Sequence, residues 1–158
     1  PNLVVKDSLL KNILADFINK STSDVLVDKI SESIEENNLD DFFIHLKSLF
    51  ASIPSHLFIK NKEAYYHTII YLVLTLVGVM IKVEVHTNKG RIDAVIETVE
   101  NIYILEFKLS SPEKALEQIE TMNYHEKYLG SGKSVILIGI GFDAGKRNIG
   151  NYLIKKLE

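Results

Sequence analysis

Two short β-type segments joined by a compact turn constrain this chain more than any other feature. Residues 91–96 and 102–108 are rich in Ile, Val, Tyr and Phe, and residues 98–101 between them are typical of a turn. Suppose that Val99 and Glu100 form a two-residue hairpin loop closed by Thr98 and Asn101. Residues that face each other across the two strands then have position numbers with the same sum as 98 and 101. This register places Asp93 directly opposite Glu106.

Three charged side chains meet at one end of this predicted ribbon. Side chains alternate between the two faces of a strand, so Glu106 and Lys108 point the same way and Asp93 lies beside Glu106. Like charges directly opposite one another destabilise a sheet, and carboxylates that converge usually hold a hard divalent cation. We therefore expect a metal site here. The alternative is a surface ion pair, which contributes little to stability.

The composition is that of a soluble globular protein and excludes several kinds of site. The 158 residues are 46% hydrophobic and 25% charged, which suits one ordinary domain or a compact domain with an appendage. Cysteine is absent, which excludes disulfides, thiolate zinc sites and cysteine nucleophiles. The five histidines form no zinc-binding motif, so we do not expect a zinc hydrolase.

The net charge and the hydropathy pattern indicate which partners and which cellular location to expect. The net charge of −3 argues against a strongly basic nucleic-acid binder, although bound metal would offset part of the charge of the carboxylate cluster. No secretory or transit signal is visible, and the apolar run at residues 69–81 is shorter than the roughly 20 residues of a transmembrane helix. We expect a cytoplasmic protein without a membrane partner. The start at Pro1 fits both a fragment and removal of an initiator methionine.

The first part of the chain predicts helices and no chemistry. Apolar residues recur at the three-and-four spacing of amphipathic helices. The pattern predicts a helix through residues 9–17, a second around residues 24–36 that is capped within residues 21–23, and a third that stops before Pro54. We assign residues 1–60 to this helical segment.

Residues 61–158 combine helices with strands. A long, largely buried helix is predicted from residue 63 to about 77, and a strand and a hairpin turn separate it from the two segments described above. The other predicted elements are the strand at residues 79–87, the turn Asn88-Lys89-Gly90, a helix from Pro112 to about Tyr128 capped by Ser110 or Ser111, a buried strand at residues 134–142, and an ambiguous end at residues 147–157. We interpret this end as a short edge strand with a terminal helix close behind.

This order of elements, with these charges, resembles the PD-(D/E)XK nuclease superfamily. The superfamily signature is an Asp on the second strand, Glu-x-Lys on the third and often a Glu on the first helix. Asp93, Glu106-Phe107-Lys108 and Glu63 match these positions, and Ile92 replaces the Pro of the name.

A narrower resemblance is to the C-terminal nuclease-like domain of bacterial AAA-ATPase-like proteins, in which a helical segment ending near Ile-Pro precedes the nuclease core. It rests on Glu63-Ala64-Tyr65-Tyr66-His67, Gly90-Arg91-Ile92-Asp93, Ala115-Leu116-Glu117-Gln118-Ile119, Tyr124, Ile138-Gly139-Ile140-Gly141-Phe142-Asp143, and Pro1-Asn2 with Ile53-Pro54.

The resemblance implies both a fold and an activity. The fold is α/β, a restriction-endonuclease-like αβββαβ core with a mixed central sheet at residues 61–158, preceded by the helical segment. The activity is hydrolysis of phosphodiester bonds by a nuclease that uses Mg²⁺ or Mn²⁺, acts on DNA rather than RNA, and is joined to an upstream ATPase module. The alternative is a non-catalytic nuclease fold that binds nucleic acid or a partner and regulates an attached ATPase. The oligomeric state stays open, a dimer included.

The resemblance also implies roles for single residues. Asp93, Glu106 and the backbone carbonyl of Phe107 would hold the metal, and Lys108 would orient and help deprotonate the attacking water or stabilise the pentavalent state. Glu63 would bind the metal through water or add a second ion, and Gln118 would position the scissile phosphate or a ligand water.

Several candidate residues have plain structural alternatives. Glu63 and His67 could form a solvated pair one helical turn apart, and Gln118 could be an ordinary exposed residue. Glu84 alternates outward with Lys82 and His86 on the first strand, which is typical of a solvated face.

A glycine-rich segment at residues 130–134 resembles the end of a phosphate-binding P-loop. The earlier glycine of that motif would fall at Lys127, and the segment follows a predicted helix and opens a strand, which is the reverse of the P-loop context. We predict a simple loop and no nucleotide binding.

Overall fold

A computed structural model describes residues 3–16, 18–54, 62–78, 81–88, 91–109 and 111–157. The chain forms two compact units, Pro1–Ile81 and Lys82–Glu158. The first unit is helical and the second contains the sheet. The predicted domain boundary at residue 60 stays a prediction.

The described part of the first unit contains four α-helices. They are α1 (Leu3–Ala15), α2 (Lys20–Glu35), α3 (Leu39–Ala51) and α4 (Lys62–Val77). Their apolar residues form a buried core, in which the Phe50 ring of α3 meets the Tyr66 ring of α4 edge to face at 5.8 Å between centroids. The predicted buried helix from residue 63 to 77 is confirmed, because Tyr66, Ile69 and Val73 of α4 are fully buried.

Side-chain caps set the helix boundaries in this unit. The Asn19 carboxamide oxygen accepts a hydrogen bond from the Ser21 backbone N–H at 3.0 Å, so α2 begins at Lys20 and the predicted start near residue 24 is wrong. Asn38 caps α3 in the same way by accepting from the Asp41 N–H at 3.1 Å. Asparagine competes well with serine and threonine as an N-cap, and here it acts one turn before the predicted serine cap.

The second unit is a five-stranded mixed sheet with one helix. Its elements are β1 (Lys82–Asn88), β2 (Arg91–Glu97), β3 (Asn101–Leu109), α5 (Pro112–Thr121), β4 (Ser134–Asp143) and β5 (Asn148–Leu157). The strands lie in the order β1-β2-β3-β4-β5. Strands β3 and β4 pair in parallel, and the other three pairs are antiparallel. A parallel pair needs a long crossover, which α5 supplies, and the predicted α/β fold with a mixed sheet is confirmed.

Helix α5 covers one face of the sheet at β3 and β4. Ile102, Ile104, Val135 and Leu137 of the strands form a buried cluster with Ile119 of the helix. The helix begins where predicted, because Pro112 occupies its first turn and the Ser111 hydroxyl accepts a hydrogen bond from the Lys114 backbone N–H at 3.2 Å. Core side chains of this kind each contribute about 1.5–3 kcal/mol when fully buried.

Gly139 lets α5 approach the sheet closely. A Cβ atom at this position would lie 2.6 Å from the Leu116 backbone nitrogen, 2.9 Å from the Leu116 Cβ, and closer still to the Pro112 carbonyl oxygen. The first turn of α5 therefore rests directly on the backbone of β4, which no other residue type would allow without a shift of the helix.

Two predictions about the ends of elements are wrong. Helix α5 stops at Thr121 rather than near Tyr128, because Asn123 adopts a left-handed conformation with φ 53° and a short 3-10 turn, Glu126–Tyr128, follows. The chain end is one strand of ten residues, β5, paired with β4 along its length. It is an edge strand as predicted, but it is long, and it occupies the residues where a terminal helix was expected.

Candidate active site

The hairpin between β2 and β3 closes as the sequence predicts. The Thr98 backbone N–H donates to the Asn101 carbonyl oxygen at 2.9 Å, and the Asn101 N–H donates to the Thr98 hydroxyl oxygen at 3.2 Å. Val99 at the tip is 90% exposed. This closure sets the register along both strands, and Asp93 pairs directly with Glu106.

Asp93 and Glu106 belong to a row of residues that crosses four strands. Asp93 pairs with His86 on β1, and Glu106 pairs with Gly139 on β4. Neighbouring strands lie about 4.8 Å apart and paired residues point to the same face. The row His86, Asp93, Glu106 and Gly139 therefore lies on the face that α5 covers, and Lys108 follows two residues beyond Glu106 on that face.

Burial increases along this row toward the middle of the sheet. His86 is exposed, Asp93 is half-buried, and Glu106 is 0% exposed. A carboxylate removed from water strongly favours a nearby positive charge or hydrogen-bond donors. Asp93 places a second carboxyl group directly beside it, so two oxygen ligands share this part of the row.

The donor atoms present suit a hard divalent cation. Two carboxylates and a backbone carbonyl such as that of Phe107 are oxygen ligands, which Mg²⁺ and Mn²⁺ prefer. The Phe107 ring lies on the opposite face, where it stacks on the Phe142 ring at 5.9 Å, and this packing fixes the strand between Glu106 and Lys108. Among the side chains that the structure describes, no three Asp, Glu or His groups form a metal-binding cluster.

The sequence matches the profile of the PD-(D/E)XK nuclease superfamily over residues 61–152, which is more than half of the chain. This chain belongs to the PD-(D/E)XK nuclease superfamily. The five-stranded mixed sheet with its flanking helix agrees with the restriction-endonuclease-like fold of that superfamily. PD-(D/E)XK nucleases generally use divalent metals such as Mg²⁺.

A similar protein is known from Azotobacter chroococcum mcd 1. It is named "Uncharacterized protein in vnfD 5'region" and is 27% identical to this chain over 165 aligned residues, which cover 99% of this chain and 32% of the relative. The chain therefore spans about a third of the length of that relative. No solved structure matches significantly.

The residues predicted to form the PD-(D/E)XK signature lie on the second and third strands of the sheet. Asp93 lies on the second strand of the sheet, and Glu106 and Lys108 lie on the third. Lys108 is half-buried at the end of β3. The structure thus brings Asp93, Glu106 and Lys108 to one end of one sheet face, and their roles as ligands or catalysts stay predictions.

Gln118 lies on the flank of α5 that is turned away from β5. Glu120, two residues later, forms an ion pair with Lys155 of β5 at 3.2 Å. Two residues correspond to about 200° around a helix, so Gln118 projects from the opposite flank, toward the side of the sheet that carries β2. Gln118 is half-buried, which agrees better with a position beside the sheet than with a fully exposed residue.

Glu63 belongs to the first turn of α4 in the first unit. Its side chain lies outside the described part of the structure, so its predicted place in the PD-(D/E)XK site stays a prediction. His67, one turn later, is half-buried.

His86 and Gly139 are candidates that the sequence interpretation did not identify. His86 is the partner of Asp93 on β1, although alternation alone assigned it to a solvated face together with Glu84. The sequence carried a signal, because once Asn88 pairs with Arg91 the same register rule places His86 opposite Asp93. Gly139 belongs to one of the segments that carry the narrower resemblance, but its contact with α5 depends on packing that the local sequence does not show.

The glycine-rich loop at residues 130–133 has a structural function at the far end of the sheet. Lys133 forms an ion pair with Glu97 at 3.0 Å and donates to the Thr98 carbonyl oxygen at 2.8 Å, and Lys82 binds the same carboxylate at 3.1 Å. The hydrogen bond from Lys133, followed by that from Lys82, lowers the pKa of Glu97. The loop opens β4 and follows a short 3-10 turn, so the predicted simple loop is confirmed.

Among the described residues, none of the helices is long and apolar enough to cross a membrane.

Proposed function

We propose that this chain is a metal-dependent nuclease domain that hydrolyses phosphodiester bonds and acts on DNA in preference to RNA. The observation that carries the proposal is the pairing of Asp93 with the fully buried Glu106, with Lys108 on the same sheet face, in a member of a nuclease superfamily. A solvent-exposed ion pair would not place Glu106 in the buried interior of the sheet, whereas two neighbouring carboxyl groups provide the oxygen ligands that a divalent cation prefers.

The proposal gives each predicted site residue a role. Asp93, Glu106 and the Phe107 carbonyl would hold Mg²⁺ or Mn²⁺, which when bound supplies Lewis-acid catalysis and lowers the pKa of water. Lys108 would orient the attacking water, help to remove its proton, or stabilise the negative charge that develops on the phosphate oxygens. Gln118 would position the scissile phosphate from the helix, and Glu63 would add a water-mediated ligand or a second metal site.

A nuclease assay with matched variants tests the catalytic part of the proposal. Purified protein is incubated with Mg²⁺ or Mn²⁺ and linear, circular and single-stranded DNA, with RNA as a comparison. We expect Asp93→Asn and Lys108→Ala to lower the rate by about 100-fold or more, as for loss of a metal ligand or a charge at the reacting phosphate. Glu84→Gln is the control, since Glu84 is an exposed carboxylate on the same sheet face. Equal activity in the wild type, Asp93→Asn and Lys108→Ala would refute the assignment.

Metal binding can be tested without any substrate. Mn²⁺ at 100 times its dissociation constant should stabilise the folded protein by about 2.7 kcal/mol. We expect this stabilisation, measured by calorimetric titration and thermal denaturation, in the wild type and in Glu84→Gln and not in Asp93→Asn. An unchanged response in Asp93→Asn would show that any bound metal lies elsewhere.

One observation favours a second candidate, a non-catalytic nuclease fold that binds nucleic acid or a partner. The net charge of −3 is modest for an enzyme that must attract a polyanion. In this case the protein would bind nucleic acid without cleaving it, and Mn²⁺ binding would not depend on Asp93. The two experiments above therefore separate the candidates.

The wider context is part of the proposal. The resemblance to nuclease-like domains of AAA-ATPase-like proteins supports an upstream ATPase module, which the nuclease fold would serve or regulate. Co-purification of the full-length protein with ATPase activity, measured with and without DNA, tests this link. A cytoplasmic location is proposed from the sequence alone, and the oligomeric state stays open, a dimer included.

A further inference from the structure

We propose that Lys114 and Lys146 form a cationic rim beside the candidate active site and bind backbone phosphates of the nucleic-acid substrate. The inference rests on the proposed function for its ligand class. It assigns substrate binding to two residues outside the signature Asp, Glu and Lys.

The basic side chains of the second unit are distributed unevenly between ion pairs and open positions. At the end of the sheet away from the site, Lys82 and Lys133 share the Glu97 carboxylate, and Lys155 of the edge strand pairs with Glu120. Each of these positive charges is balanced locally and is poorly placed to attract a polyanion.

The end of the sheet that carries the candidate site shows the opposite arrangement. Lys108 ends β3, Lys114 lies in the first turn of α5, and Lys146 lies in the turn between β4 and β5. None of these three lysines forms an ion pair with the part of the chain that the structure describes. Lys114 and Lys146 are both exposed, so their charges face solvent at this end.

Helix α5 separates its charges by flank. Lys114 precedes Gln118 by one turn, so both side chains project from the flank that faces away from β5. The acidic residues Glu113, Glu117 and Glu120 occupy the remaining exposed arc, where Glu113 also accepts a hydrogen bond from the Ser111 hydroxyl at 3.2 Å. Because the first turn rests on Gly139, the neighbour of Glu106, Lys114 is held close to the site by the backbone of the sheet.

The turn between β4 and β5 presents Lys146 from a fixed backbone. The Asp143 carboxylate accepts a hydrogen bond from the Lys146 backbone N–H at 3.1 Å, which shapes the turn and leaves the ammonium group to solvent. Asp143 lies four residues beyond Gly139 on β4, which is about 13 Å along a strand. This distance corresponds to about four nucleotide steps along a duplex axis, so Lys146 would contact a phosphate several nucleotides from the one at Glu106.

A binding assay without divalent metal tests the rim independently of cleavage. Affinity for fluorescently labelled duplex DNA is measured by anisotropy in EDTA over a salt series, for the wild type, Lys114→Ala, Lys146→Ala and the double variant. The control is Lys156→Ala, since Lys156 is exposed near the far end of β5. Single-stranded DNA and RNA probes show which form of the nucleic acid is preferred.

Each rim lysine should account for about one phosphate contact. We expect each single variant to reduce the magnitude of the slope of log affinity against log salt by about 0.9. The affinity lost between 50 and 200 mM salt should therefore be about threefold smaller than in the wild type. The double variant should show twice the change in slope, and Lys156→Ala should match the wild type. Rim variants that bind like the wild type or Lys156→Ala, or a wild type that binds none of the probes at low salt, would overturn the proposal.

Failure of the rim and failure of the nuclease proposal give different results. If DNA is cleaved in an Asp93-dependent way but binding does not depend on Lys114 and Lys146, only the rim is wrong. If binding depends on both lysines but no metal-dependent cleavage occurs, the rim holds on a non-catalytic fold.

Discussion

Gly139→Ala should destabilise the second unit by overpacking the contact between α5 and β4. Gly139 adopts no positive φ angle, so alanine would meet no backbone strain of its own. The effect of the substitution is therefore confined to one added methyl group and the atoms that it would meet.

The structure sets the size of this effect. The new Cβ would lie 2.6 Å from the Leu116 backbone nitrogen, and ordinary van der Waals contact begins at 3.4 Å, so the helix must move by at least the difference, about 0.8 Å. Backbone atoms of Leu116 and Pro112 form the obstacle, and no rotamer change relieves it. Overpacking costs 1–3 kcal/mol in typical cores. We expect about 3 kcal/mol here, the upper end of that range, which lowers the melting temperature by about 6–12 °C in a chain of this size.

The assay is reversible denaturation by urea, followed by circular dichroism, together with thermal scans. Gly130→Ala is the matched control, because a Cβ at Gly130 meets nothing within 4 Å and Gly130 also shows no positive φ. It should change stability by less than about 0.5 kcal/mol, as surface substitutions usually do. A Gly139→Ala variant as stable as Gly130→Ala would refute the close packing of α5 on β4, and with it the argument that this contact holds Lys114 and Gln118 near the site.

Two further predictions concern pH. The pKa of Glu97 is lowered from 4.5, first by the hydrogen bond from Lys133. This pairing therefore stabilises the fold above pH 4.5, and the stabilisation is lost as the pH falls through the lowered pKa. The difference in stability between the wild type and Lys133→Met should shrink in acid, and a difference that stays constant from about pH 7 to about pH 3 would contradict the prediction. Burial raises the pKa of Tyr103 from 10.0 to about 12. Because the Tyr103 hydroxyl ionises at a lower pH in the unfolded chain, the free energy of unfolding should fall between pH 10 and 12. Urea denaturation should show a smaller fall in Tyr103→Phe than in the wild type, and an equal fall in both proteins would contradict the prediction.

The hairpin that carries the candidate site was predictable from the sequence. A two-residue loop leaves one register for the strands that it joins, and strand periodicity then decides which side chains share a face. Asp93 therefore had to lie beside Glu106 once Thr98 and Asn101 closed the loop. The order of helices and strands was also predictable, because the hydrophobic periodicity that distinguishes them is a local property of the sequence.

The parts that were missed depend on tertiary contacts or on competition between similar local signals. Strand β5 contains Lys155 and Lys156 beside apolar residues, a pattern that suits helix and strand equally, and only pairing with β4 decides between them. The start of α2 depended on whether Asn19 or a later serine would act as cap. The importance of Gly139 arises from a helix that approaches it through space, which no local pattern records.

The pairing of β1, β2 and β3 as consecutive antiparallel strands has a consequence for how the protein folds. His86, Asp93 and Glu106 are aligned across β1, β2 and β3, and Asp93 and Glu106 are only thirteen positions apart in sequence, so little loop entropy opposes their approach. The burial of Glu106 requires the later strand β4 and the crossover helix, which are long-range contacts of the kind that form slowly in folding. The two carboxyl groups should thus meet in solvent early and lose their water late, and the divalent cation of the proposed function would then bind in the final, slow step.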